Sequence, residues 1–467
     1  PKDEKRRYVS ADLTEDQRYL SIQTAQTTAG NTLFIKDLSQ PDSPFIELKT
    51  EEHAETRVIE SINETLLLFT SHGAPNGRLV ALRLDQPEPA AWTDIIPEHT
   101  SPLRVSTGAG YLFAHYLMDA RSRLYQYRYT GDLVREIPLP EPGSASLPFG
   151  KDTDETVYYT FSNYKQPSTI YAYNPESGNA RRYFKPDIRF NPDDYETHQV
   201  FYSSPDGTQV PMTLTYKKGL KRDGNNPTLL YGYGGFDISI TPGFSTTTAL
   251  WLSLGGVYAV PNIRGGGEYG KNWHIQGTQH QKQNVFDDFI AAAEYLIDEQ
   301  YTKADYLAIS GRSNGGLLVG AVMTQRPDLI KVALPGVGVL DMLRYHTFTA
   351  GAGWSFDYGR SDDSREMFET LLSYSPLHNL TPGTRYPATL ITTGDHDDRV
   401  VPAHSFKFAA TLQSAQSGPA PTLIRIETDA GHGAGTSIEK RIAQTADSLS
   451  FTLFNMGITN LEVQHDE

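Results

Sequence analysis

Short apolar runs recur along the first 190 residues at a fixed interval. They begin near Tyr19, Leu66, Leu112 and Val157, spaced 47, 46 and 45 residues apart. A second set, at Leu33, Leu79, Leu124 and Ile170, repeats at 46, 45 and 46. Each member of the first set follows a turn signal: Asp16-Gln17, Asn63-Glu64, Gly108-Ala109-Gly110 or Asp154-Glu155. Short runs without helical periodicity predict strands, and a repeat of about this period predicts β-propeller blades, four of them. A β-sandwich has no reason to hold two independent markers on one period.

The register breaks after Phe184-Lys185-Pro186, and a different grammar begins. Val200–Ser203 and Val210–Lys217 flank Pro205-Asp206-Gly207, a hairpin signal. Further strands are predicted at Thr228–Tyr231, Gly256–Val260, Tyr306–Ser310, Val332–Leu334, Ala388–Thr392 and Thr422–Ile426. Helical patterns fall at Val285–Asp298, Asn314–Thr324, His404–Leu412 and from about Ile438 to Phe454. Strands alternating with helices predict a mostly parallel sheet covered on both faces, with catalytic groups on loops at the carboxyl ends of strands. The expected organisation is a propeller portion over residues 1–190 and an α/β domain over 191–467.

Composition narrows the chemistry. A net charge of −15 leaves no basic stripe for nucleic acid. No apolar run approaches the ~18 residues of a membrane helix. The chain has no cysteine, which removes disulfides, thiolate metal sites and a cysteine nucleophile, and leaves serine as the leading covalent candidate. The expected place is the cytoplasm, with the periplasm as the alternative.

Ala308-Ile309-Ser310-Gly311-Arg312-Ser313-Asn314-Gly315-Gly316-Leu317 runs from a predicted strand into a predicted helix through Gly-x-Ser-x-Gly. The tight turn needs small flanking residues, and it lifts a serine hydroxyl above the sheet at a helix amino terminus. This nucleophile elbow makes Ser313 the candidate nucleophile of an α/β-hydrolase. In that fold the order is serine, acid, histidine. His432 lies in Gly431-His432-Gly433-Ala434-Gly435 after a predicted strand, where small neighbours leave an imidazole unobstructed. His404, at a helix start, reads as a capping or packing residue, and His396 lies inside the acidic loop. That loop, Gly394-Asp395-His396-Asp397-Asp398-Arg399-Val400-Val401-Pro402, offers three aspartates that residue chemistry does not separate. An oxyanion needs two donors. One is the backbone amide of Asn314. The other is expected from Tyr231-Gly232-Tyr233-Gly234-Gly235-Phe236, by backbone or by a tyrosine hydroxyl.

Together with Asn262-Ile263-Arg264-Gly265-Gly266-Gly267-Glu268-Tyr269-Gly270, these segments resemble the prolyl oligopeptidase family of serine peptidases. The resemblance runs through the second half, with looser agreement in the blades. It implies a serine endopeptidase that cleaves short peptides after proline through an acyl-enzyme, with no cofactor and no metal. It assigns Asp397 as the triad acid and Tyr233 as the second oxyanion donor. Trp354 and Tyr358, with Phe236, Val339 and Val400, would line a proline pocket, and Arg399 would bond a substrate carbonyl. The branch of the fold that prefers basic residues has a different tyrosine loop and alanine after the serine, so Tyr233 to Phe236 and Asn314 favour the prolyl type. A small-ester esterase is the other alternative.

Three features depart from the family. It has about seven blades where four repeats stand here, and it begins with a segment that packs on the hydrolase domain. Loop Gln23–Thr28 lacks an arginine that some members present to substrate, and Ala350 replaces a larger apolar residue. The expectation is therefore a carboxyl-terminal two-thirds of a longer protein, either monomeric or requiring the amino-terminal segment.

Overall fold

A computed structural model describes residues 8–51, 53–433 and 436–459. The chain forms two compact units. The first is Pro1–Ile188 with two short excursions, 241–243 and 267–272, and the second holds the remainder.

In the first unit there are four antiparallel sheets of four strands each, in simple sequential order. The predicted apolar runs are the two middle strands of each sheet: Tyr19–Ala25 with Thr32–Asp37, Thr65–Thr70 with Arg78–Leu82, Tyr111–Met118 with Arg121–Tyr127, and Val157–Ser162 with Thr169–Asn174. Successive side chains of a strand point to opposite faces. Leu66 and Leu68 accordingly pack with Tyr19, Leu33 and Ile35 of the first sheet. Leu67 and Phe69 pack with Val105, Leu112 and Ala114 of the third. Phe113 continues the stack, meeting Tyr159, Phe161 and Tyr173 of the fourth. Sheets stacked face to face as blades explain why these strands read as unbroken apolar runs. The flanking strands carry no apolar pattern that marks them in the sequence. Tyr8–Leu13 and Asn179–Phe184 are exposed at all six positions. Among the described residues no strand pair joins the first sheet to the fourth; the Asp152 amide reaches the Glu15 carboxylate at 3.1 Å between their loops.

The second unit is built on one eight-stranded sheet. Its spatial order is Tyr195–Ser203, Gln209–Lys217, Val257–Pro261, Thr228–Tyr231, Leu307–Arg312, Val332–Gly336, Ala388–Gly394 and Thr422–Glu427. The first two pairings are antiparallel and the rest parallel, as the alternating pattern predicts. The four predicted helices appear as Gln283–Asp298, Asn314–Gln325, Ala403–Ala415 and Ile438–Asn455. Among the described residues the sequence pattern does not mark Thr246–Ser253, Arg365–Tyr374 or the short helices Lys271–Ile275 and Ser355–Tyr358. Arg264 is buried at 2% exposure and forks onto Asp288, whose carboxylate also takes the Arg264 amide at 2.9 Å. No helix among the described residues is long and apolar enough to cross a membrane.

Candidate active site

Strand Leu307–Arg312 ends at Ser313, whose backbone sits at φ 59°, ψ −116°, before helix Asn314–Gln325 begins. A serine held there is strained by about 1–3 kcal/mol and must be over-determined by its surroundings. Its amide donates to the Gly336 carbonyl at 2.9 Å. A Cβ on Gly311 would stand 2.3 Å from the Gly315 carbonyl oxygen, and one on Gly315 would stand 2.6 Å from that of Gly232. Both glycines are therefore demanded by crowding. The Ser313 side chain makes no capping bond to the helix, so its hydroxyl is not engaged as an amino-cap.

The candidate acid and base stand on the loops after the last two sheet strands, Ala388–Gly394 and Thr422–Glu427. Asp397 is buried and its Oδ2 meets Nδ1 of His432 at 2.6 Å. Its Oδ1 accepts the backbone N–H groups of Arg399 at 3.0 Å and Val400 at 2.9 Å, which fixes the plane of the carboxylate. The other two aspartates are occupied elsewhere or exposed. Asp395 pairs with His396 at 2.7 Å, which holds its carboxyl down at about 2. Asp398 lies on the surface. His404 is buried, and its Nδ1 accepts the Asp341 amide at 3.0 Å, a packing role as read from the sequence. Ala434 and Gly435 of the histidine loop lie outside the described residues.

Asn314 is the first residue of its helix, where a backbone N–H has no intrahelical acceptor. Tyr233 is half-buried, and desolvation, helped by Asp357 and Tyr231 and opposed by Arg399, pushes its hydroxyl up to about 12. It stays protonated and able to donate at neutral pH. The side chain of Asn314, to which the sequence assigned nothing, ties the two candidate donors together. Its Nδ2 donates to the Tyr233 carbonyl at 2.5 Å, and its Oδ1 accepts the Tyr358 hydroxyl at 2.8 Å.

The expected pocket residues form a connected aromatic group. Phe236 meets Tyr358 edge-on, with centroids 5.4 Å apart. Tyr358 is fully buried, so it stands behind Phe236 as a support. Trp354 stacks on Tyr345 at 6.2 Å with planes 6° apart, and Tyr345 meets Tyr358 at 5.1 Å. The Tyr345 hydroxyl donates to the Gly359 carbonyl at 2.5 Å. Sequence reading missed Tyr345; its only signal was a third aromatic near the Gly353–Gly359 segment. Val339 and Val400 are buried aliphatics on the loops after strands Val332–Gly336 and Ala388–Gly394, and Arg399 is exposed. Apart from this group, a cleft of about 940 Å³ opens beside Arg312 and His432, walled by Leu250, Ile438 and Ile442.

Two family models match the chain: "Prolyl oligopeptidase, N-terminal beta-propeller domain" over residues 1–186 and "Prolyl oligopeptidase family" over 242–459. A prolyl endopeptidase of Elizabethkingia miricola is 56% identical over 457 residues, covering 98% of this chain and 65% of that protein. One from Dictyostelium discoideum is 42% identical over 400 residues, covering 82% and 52%. Among solved structures, one from a study of two prolyl endopeptidases superposes with a TM-score of 0.93 at 42% identity, covering 97% of this chain and 67% of that one. Prolyl oligopeptidase B from Galerina marginata, bound to a 35mer hydrolysis and macrocyclization substrate, superposes at 0.93 with 34% identity, covering 98% and 66%. The chain thus spans about two-thirds of the length of the Elizabethkingia relative and about half that of the Dictyostelium one.

Proposed function

The chain belongs to the prolyl oligopeptidase family, and from that premise we propose that it is a serine endopeptidase cleaving short peptides on the carboxyl side of proline. The observation that carries the reading is the bond of His432 to the buried Asp397 at 2.6 Å, on the loops of a sheet whose elbow presents Ser313. In this reading residues 1–190 are the propeller portion and 191–467 the catalytic domain. The expected setting is the cytoplasm, with the periplasm as the alternative, and the chain is either monomeric or requires an amino-terminal segment.

Ser313 Oγ attacks the carbonyl carbon of the proline residue while His432 Nε2 takes its proton. Asp397 keeps the Nδ1 proton of His432 in place and balances the imidazolium. The negative charge that develops on the carbonyl oxygen falls to the Asn314 N–H and the Tyr233 hydroxyl. Collapse breaks the C–N bond, and His432 returns its proton to the leaving amine. Water then attacks the acyl-enzyme by the same steps and releases the acid. The pyrrolidine ring lies flat on the Trp354 indole against Phe236. Proline has no amide hydrogen, so an apolar floor leaves nothing on the ring unsatisfied. Arg399 bonds the substrate carbonyl just before the proline.

The test is a panel of blocked peptide nitroanilides carrying Pro, Ala, Arg or Phe before the scissile bond, run beside a nitrophenyl ester. The expected result is turnover of the proline substrate at least tenfold above the other three. Preference for Arg, or hydrolysis of the ester alone, overturns the reading.

A further inference from the structure

Two buried charges beneath the tyrosine loop take no part in the chemistry above. Lys282 is 1% exposed; its Nζ donates to the Gly234 carbonyl at 2.8 Å and stands 5.4 Å from the centre of the Tyr358 ring. Asp357 is also 1% exposed; its Oδ1 accepts the Phe236 amide at 2.7 Å and faces Nε2 of His274 at 3.0 Å. Its Oδ2 has no hydrogen-bond partner among the described residues.

The loop needs such anchors. Gly234, Phe236 and Asp237 all have positive φ, at 67°, 60° and 58°. For the two non-glycine residues that conformation is unfavourable on its own and persists only when neighbours impose it. A turn of this kind also aims its peptide groups away from any sheet ladder. Three of them are taken up by side chains: the Tyr233 carbonyl by Asn314, the Gly234 carbonyl by Lys282 and the Phe236 amide by Asp357. Bonds from charged groups are shorter and stronger than neutral ones, and a buried cation near a buried carboxylate offsets part of the cost of each. Gly265 closes the far side so tightly that a Cβ there would stand 2.6 Å from the Gly234 oxygen.

We propose that Lys282 and Asp357 form a charge clamp on the 233–236 loop, acting as positioning residues that hold the Tyr233 hydroxyl where it donates to the oxyanion. The clamp grips the peptide groups on either side of Gly235. Its loss lets the turn relax toward ordinary backbone, and Tyr233 swings off line while the Trp354 floor stays. Lys282 holds the Gly234 carbonyl next to Tyr233, so the effect of losing it falls mainly on the chemical step, with a smaller change in binding through Phe236.

The proposal rests on the oxyanion role read for Tyr233, and a double-mutant cycle separates the two. Measured with the proline nitroanilide, Lys282→Met is expected to lower kcat by about 10²–10³, the loss typical of one oxyanion donor, with KM changed less than threefold. In the Tyr233→Phe background, Lys282→Met is expected to cost less than threefold further, because the group it positions is already gone. If Tyr233→Phe is slow and Lys282→Met keeps wild-type kcat, raises only KM, or adds its full loss to Tyr233→Phe, the clamp is wrong and the oxyanion role stands. If Tyr233→Phe itself keeps wild-type kcat, the oxyanion reading falls and takes the clamp with it. Circular dichroism and the melting transition check folding. Should Lys282→Met not fold, the charge-neutral Lys282→Met/Asp357→Asn pair carries the same cycle, with the same expected and overturning results.

Discussion

Replacing Asp397 by asparagine is an almost isosteric change whose consequence is fixed by two hydrogen bonds. Asp397 Oδ1 accepts the amides of Arg399 and Val400, and both are donors. An asparagine must turn its carbonyl oxygen to them, since a buried NH₂ facing two N–H groups would leave three donors without acceptors. Its Nδ2 is then placed where Oδ2 was, 2.6 Å from His432 Nδ1 in the native pair. The imidazole can only accept there, so its single proton moves to Nε2, the atom that must receive the serine proton. A base in the wrong tautomer is expected to lower kcat by about 10⁴, or about 5.5 kcal/mol of barrier, as in other triads. Fold and pocket should stay intact, so KM for the proline nitroanilide changes little. The loss should also vanish in a Ser313→Ala background, since the triad acts as one unit. Asp395→Asn is the control: it touches His396 and the Ala430 amide, and should keep kcat within tenfold. The reasoning is refuted if Asp397→Asn keeps more than a tenth of wild-type kcat, or if Asp395→Asn falls as far.

Trp354→Ala removes the indole stacked on Tyr345 and is expected to erase about 1–3 kcal/mol of preference for proline over alanine, read as the ratio of kcat/KM values; an unchanged ratio refutes the pocket. Arg399→Ala should weaken all peptides alike, because it bonds backbone; a selective change in the proline ratio would count against that. Asp288→Asn removes one of two carboxylate partners from a 2%-exposed Arg264, Asp206 remaining at 2.5 Å, and is expected to cost about 1.5–3 kcal/mol of stability. The denaturant midpoint measures that cost, and an unshifted midpoint shows the pair is not what holds this strand end.

Periodic and locally constrained features are legible in the chain before it folds. The middle strands of each blade are legible because Leu66 to Phe69 and their counterparts are buried on both faces. The elbow is legible because Gly311 and Gly315 have no room for a side chain. The blade edges are not, since strands such as Asn179–Phe184 are exposed throughout and carry no apolar pattern. Choosing among Asp395, Asp397 and Asp398 from residue chemistry alone was equally out of reach. All three are aspartates on one loop, and only the fold decides which carboxylate is buried against His432. The same holds for Tyr345, Lys282, Asp357 and the Asn314 side chain. Their partners lie 9 to 121 residues away in sequence or act through peptide groups, and neither relation leaves a mark on local composition. Local sterics and burial periodicity are written into neighbouring residues; which buried polar group meets which is settled when distant segments pack together.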